Sequence, residues 1–375
     1  MQALAPQQDF IGVEDSTYLY TGAESAPLKS QSQALERYLH ERSHGEAGRA
    51  AHIETERQCK TRLADVMGCG ADDIGLVGSA SEAIVLIASG IDFKPGDNIV
   101  TNDLEFPSTV LPWIQMKEHG IEVRLVRNRD WQFTPEEVIE QIDGRTRLVA
   151  ISHVSYLSGL RLDLDPIAAA AHAHGALLLA DVTQSLGVVP VDVSTFDFAV
   201  ASTYKWLLGI HGGGVLYWNR ARLPDFAPGA VGWFSVSDFL SDDRFERITW
   251  KPTAERFELG MPSYAAIYAL ENGVRYLQQF GTDRIGAHVE ELGSELIEGL
   301  QDQGWPVMTP VERARRAGNI SIAVEDAVTV RDALIEKNIH TWGGDGRVRS
   351  SIHLYNDSAD VAAYLGGLEP LAPGG

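Results

Sequence analysis

Three short apolar runs within residues 176–218 constrain this chain more than any other feature of its sequence. Residues 176–180 end on Asp181, with Gln184 three positions on. Residues 198–201 end in Ser202-Thr203-Tyr204-Lys205, and residues 215–218 follow Gly212-Gly213-Gly214. Continuous apolar runs of this length, bounded by turn residues, read as strands buried on both faces, the pattern of a sheet covered by helices. An open sheet of that kind binds its ligands beyond the ends of its strands. Two of these runs deliver an acid and a lysine to such ends.

A partly desolvated lysine amine forms a Schiff base with an aldehyde. A carboxylate can hold a pyridine nitrogen protonated, so that the ring draws electrons. Pyridoxal phosphate requires both groups of a protein. Taken alone, Asp181 reads more readily as the cap of a turn and Lys205 as a solvated loop lysine; the surrounding residues reverse that balance. The run Ala180-Asp181-Val182-Thr183-Gln184-Ser185 followed by Ser202-Thr203-Tyr204-Lys205 resembles the class V aminotransferase family. That family includes cysteine desulfurases, kynureninases and enzymes similar to isopenicillin N epimerase. The resemblance implies an α/β fold of type I: a large domain with a mostly parallel, seven-stranded-type sheet covered by helices, and a smaller α+β C-terminal domain. It implies Lys205 as the Schiff-base lysine, Asp181 on the pyridine nitrogen, Gln184 near the phenolic oxygen and Ser202 on the phosphate. Tyr204 stands where many desulfurases have histidine.

Further stretches match the same family. Gly78-Ser79-Ala80-Ser81-Glu82 precedes an apolar helix and is similar to the family's phosphate turn. Free backbone N–H groups at a helix start favour an anion. The same residues also read as an ordinary N-cap, Ser79 or Ser81 with Glu82 close by. Phe106, after Glu105, occupies the family's ring-stacking position, and a flat aromatic packs well there. Tyr156 aligns with an asparagine of the desulfurases. The turn at residues 21–25, containing Ala23, matches one that lies beside the substrate. Arg347-Val348-Arg349-Ser350-Ser351-Ile352-His353-Leu354-Tyr355-Asn356 matches a segment whose arginine, here Arg349, takes the substrate carboxylate through a bidentate pair. Residues 256–262 match a further family segment, except that Met261 replaces a threonine and cannot donate its hydrogen bond to a neighbouring subunit's phosphate.

Composition excludes other classes. Lys and Arg number 31 against 52 Asp and Glu, a net charge of −21, which argues against nucleic acid or an anionic membrane as a partner. Cys59 and Cys69 cannot make a disulfide framework, and residues 1–10 lack a signal peptide's basic and apolar regions, so a cytoplasmic protein is expected. His172 and His174 do not share a helix face, and no metal is expected. Gly68-Cys69-Gly70-Ala71 follows a helix and lacks a third glycine, which disfavours a dinucleotide enzyme. The expected division is an N-terminal arm (1–15), a large domain (16–252) and a small domain (253–375), assembled as a homodimer. Residues 339–346, before the carboxylate arginine, hold no cysteine, so a persulfide-forming desulfurase is not expected. The expected reaction is elimination from an L-amino acid or derivative. Transamination or epimerisation is the alternative, and a non-catalytic small-molecule sensor the alternative of another class.

Overall fold

The computed structural model describes residues 1–372. Its centre is a seven-stranded sheet of β1 (Ile74–Val77), β2 (Asn98–Asn102), β3 (Glu122–Val126), β4 (Thr146–Ser152), β5 (Leu177–Asp181), β6 (Phe198–Ser202) and β7 (Gly214–Trp218). The spatial order is β1-β7-β6-β5-β4-β2-β3, with β7 antiparallel to its neighbours and the other pairs parallel. This is the expected mostly parallel, seven-stranded architecture. The unbroken apolar runs have a physical cause: both faces of the sheet are covered. Leu148 and Ala150 of β4 enter one core cluster, while Val149 and Ile151 enter the other. All four are fully buried. A buried side chain of Val, Leu or Ile contributes roughly 1.5–3 kcal/mol, which makes the centre of this sheet its most secure part.

Helices α1 (Ser30–Arg42) and α2 (Gly45–Met67) precede the sheet; α3 (Ala80–Gly90) follows β1 and α4 (Asp165–Ala173) follows β4. The chain then crosses the turn-rich residues 219–253 into α5 (Tyr264–Gln278) and α6 (Thr282–Asp302). Ala254 and Phe257 remain part of the core beneath the large sheet. A second sheet, antiparallel, contains β8 (Asn319–Ala323), β9 (Trp342–Gly344) and β10 (Arg347–Ser351) in the order β9-β10-β8. The N-terminal residues pack against this half of the chain. Phe10 is fully buried, 4.7 Å from the ring of Tyr355, and Thr17–Tyr18 pair in parallel with Ile339–His340. Among the described residues, no helix is long and apolar enough to cross a membrane.

Candidate active site

Parallel strands place their C-terminal ends on one edge of a sheet, and the site forms there. Asp181 closes β5, in register with Ser152 of β4 and Val200 of β6. Two positions after Val200, Ser202 closes β6, and Lys205 follows three residues later. The loop after β2 carries Phe106, the loop after β4 carries Tyr156, and α3 begins just after β1. One cavity is lined by Ser79, Ala80, Ser81, Phe106, Tyr156, Asp181, Gln184, Ser202, Tyr204 and Lys205, so ten positions singled out in the sequence converge.

The Asp181 carboxylate is buried and fixed from both sides. Its Oδ1 accepts the Thr183 backbone N–H at 2.8 Å, and its Oδ2 accepts the Thr109 hydroxyl at 3.2 Å. Lys205 is also buried, with Nζ 5.4 Å from the Phe106 ring centroid and 5.7 Å from that of Tyr204. Burial first, and then the charge of Arg349, lower its ammonium to about 8, while Asp181 partly opposes them. Such a lysine sheds its proton far more readily than a solvated one. Phe106 is 43% exposed at the mouth of the site and meets Tyr156 edge to face, with centroids 5.2 Å apart. A planar ring system could lie against it.

At the start of α3, both readings of the sequence hold together. Ser79 is the N-cap, its hydroxyl accepting from the Glu82 N–H at 3.0 Å, while Glu82 accepts from the Gly78 N–H. The first-turn N–H groups of a helix have no partner within it, and the residues at this start, Ser79, Ala80 and Ser81, line the same cavity as Ser202. The cradle depends on Gly214 of β7, where any Cβ would run into the carbonyl carbon of Ser79.

Gln184 is held by parts of the chain remote from it. Its Oε1 accepts from Trp206 Nε1 and Asn319 Nδ2, both at 2.9 Å, and its Nε2 donates to the Gly22 carbonyl at 3.1 Å. That last contact brings in the turn containing Ala23, whose N–H donates to the Tyr20 carbonyl. A Cβ on Gly22 would sit 3.2 Å from Arg349 Cζ, so this turn lies directly against the arginine. Arg349 on β10 is 3% exposed and donates to the Tyr156 carbonyl at 2.8 Å. Sequence reading missed Thr109, Trp206 and Asn319 as site residues. It used Glu105 only to locate Phe106, yet this buried carboxyl accepts the Ser152 N–H at 2.7 Å, and burial lifts it to about 7. Met261 is 43% exposed, and the arginine of its segment, Arg256, is occupied structurally, stacking 4.3 Å over Trp218.

The sequence model described as "Aminotransferase class-V" matches residues 17–364. The chain belongs to the class-V aminotransferase family. It is similar to a probable cysteine desulfurase of Pyrococcus abyssi (strain GE5 / Orsay), with 29% identity over 97% of this chain and 96% of that protein. The apo structure of the cysteine desulfurase from Thermococcus onnurineus NA1 superposes with a TM-score of 0.89 at 26% identity, covering 99% of both chains. The cystine C–S lyase C-DES, in complex with cysteine persulfide, shares the fold at a TM-score of 0.88 and 22% identity, covering 97% of this chain and 100% of its own. Like its family, this class-V chain is a pyridoxal-phosphate enzyme of fold type I. The donor set fits that group: a buried carboxylate, a lysine with a lowered pKa, a helix start and a flanking aromatic within one cavity.

Proposed function

We propose that this enzyme is a lyase that eliminates a leaving group from Cβ of an L-amino acid, without a persulfide cysteine. The observation that carries the second half is where the thiols are. Cys59 is completely buried in α2, and burial pushes its thiol well above the ordinary value. Cys69 is pushed up to about 12 by burial and nearby carboxylates. Neither lines the cavity, and residues 339–346 supply no other thiol. A nucleophilic cysteine needs the opposite surroundings, exposed and electropositive.

Bound in this cavity, pyridoxal phosphate supplies an electron-withdrawing ring that stabilises the charge left when a proton leaves Cα. In this reading Asp181 holds a proton at the ring nitrogen, fixed for that task by Thr183 and Thr109. The first turn of α3 (Ser79, Ala80, Ser81) and Ser202 hold the phosphate. Gln184 faces the phenolic oxygen, Phe106 covers the ring, and Tyr156 and Tyr204 close the walls. Arg349, beside Ala23, binds the α-carboxylate, and Lys205 moves the proton at Cα. Overall, an amino acid carrying a leaving group on Cβ plus water would give the protonated leaving group, ammonia and a 2-keto acid. A homodimer in the cytoplasm, with a division near residue 252, belongs to the same proposal.

The test incubates the holoenzyme with an amino-acid panel and follows keto acid and ammonia, alongside Lys205→Ala and a Cys59→Ala/Cys69→Ser double variant. Equimolar keto acid and ammonia, abolished in Lys205→Ala and retained in the double cysteine variant, supports the reading. Activity lost with the thiols, or amino transfer to an added keto acid without ammonia, overturns it.

A further inference from the structure

Beside the arginine assigned to the α-carboxylate lies a second one that this assignment leaves unused. Arg347 and Arg349 are two positions apart on β10, so their side chains project from the same face of the strand. Both are buried, at 1% and 3% exposure. Both lie against Tyr156, which lines the cavity of Lys205. Arg349 donates to its carbonyl, and the Arg347 guanidinium sits 4.9 Å from its ring centroid. Trp342, opposite Arg349 in the register, supplies a second aromatic face, 4.3 Å from the Arg347 guanidinium.

Burying two guanidinium groups side by side is unfavourable unless anions or acceptors meet them. Among the described residues Arg349 forms no ion pair, and the like charge of Arg347 bears on it. Arg347 pairs with the Asp345 carboxylate at 2.8 Å, and that side chain is 69% exposed. The Nε–H groups of both arginines are buried and have no hydrogen-bond partner among the described residues. Each guanidinium offers five N–H donors in a fixed fork suited to a carboxylate, and most remain unused.

We propose that Arg347 receives a second carboxylate, carried on the side chain of the amino-acid substrate, while Arg349 takes the α-carboxylate. The inference rests on the amino-acid reading above and narrows it to dianionic amino acids. Tyr156 separates the two anion positions and orients both forks, and Asp345 yields Arg347 when the second carboxylate arrives. Arg347 then acts as a specificity residue. A purely structural role, in which it only anchors the turn at residues 344–346 through Asp345, makes no distinction between acids and amides.

The test uses holoenzyme and amino-acid pairs matched in shape and differing in one charge: L-aspartate with L-asparagine, and L-glutamate with L-glutamine. Dissociation constants come from the change in the cofactor absorption band and from calorimetry, with L-alanine as reference. The wild type is expected to bind at least one acid about tenfold more tightly than its amide. Arg347→Gln should bring that ratio to within about twofold, and Arg347→Lys, which keeps the charge, should retain part of it. Equal binding of acids and amides by the wild type overturns the proposal without any variant. So does an acid preference that survives in Arg347→Gln. Alanine binding without acid preference overturns only this inference, whereas a panel in which nothing alters the cofactor band overturns the amino-acid reading as well.

Discussion

Holding Lys205 ready to lose its proton should cost the folded protein stability, and the cost has a definite pH window. In the unfolded chain this lysine titrates near 10.5, and in the folded chain near 8. Below pH 8 both states carry the proton, and the folded state bears the full penalty of burying the ammonium. At ~1.36 kcal/mol per unit of pKa, that penalty is about 3 kcal/mol. Between pH 8 and 10.5 the folded state sheds its proton while the unfolded state keeps it. The unfolded state therefore binds more protons, and stability rises with pH. Lys205→Met removes the ionisable group while roughly preserving its volume. In cofactor-free protein at pH 7, the variant should thus be more stable than the wild type by up to about 3 kcal/mol. At pH 9.5 the advantage should shrink by about 2 kcal/mol, because the wild type has by then relieved most of the penalty. Urea denaturation of both proteins at the two pH values measures this difference, and groups common to both proteins cancel in it. An advantage that stays constant within about 0.5 kcal/mol would falsify the claim that burial depresses this lysine, whatever its value at pH 7.

Three further outcomes follow from contacts around the cavity. Gly214→Ala should force the start of α3 off the sheet, destabilising the protein by about 1–3 kcal/mol and weakening cofactor binding at least about tenfold; urea midpoints and cofactor titration measure the two effects. Asn319→Leu takes one donor from Gln184 and leaves buried polar atoms unpaired, so it should cost about 1–3 kcal/mol in urea unfolding and shift the cofactor absorption band. Glu105→Gln keeps the shape of the carboxyl but removes its capacity to ionise, so any step in the cofactor spectrum of the wild type near pH 7 that comes from this group should vanish in the variant; a step that survives assigns it elsewhere.

What could be read from the sequence was whatever lay next to its own strand. The apolar runs end on Asp181 and Ser202, with Lys205 three residues beyond, so the strand pattern and the chemistry occupied one short window. The groups that hold these residues in place have no such local signal. Asn319 lies 135 residues from the Gln184 it grips, Gly22 lies 162 away, and Thr109 lies 72 from Asp181. Only the folded topology brings them together. Arg347 and Arg349 illustrate the same limit on a smaller scale. Their alternation is visible in the sequence, but the register against Trp342 and Gly344, and the burial of both guanidinium groups, are tertiary facts. Phe10 gives a third case. A single aromatic in a polar stretch has no periodicity, and its place against Tyr355 depends on the other end of the chain.

These remote contacts form one continuous seam. Gln184 joins the loop after β5 to the turn at Gly22, to Trp206 just beyond Lys205, and to Asn319 on β8. Asn319 Oδ1 in turn accepts from the Ser351 hydroxyl on β10, the strand that carries Arg349. The positions assigned to the cofactor's phenolic oxygen and to the substrate's carboxylate are therefore linked through buried hydrogen bonds with few spare partners. Buried networks of this kind are costly to leave half-satisfied, so the second sheet cannot shift without disturbing Gln184. The same wiring gives the site its rigidity: the arginine pair and the lysine are set by two sheets that share polar contacts, rather than by flexible loops alone.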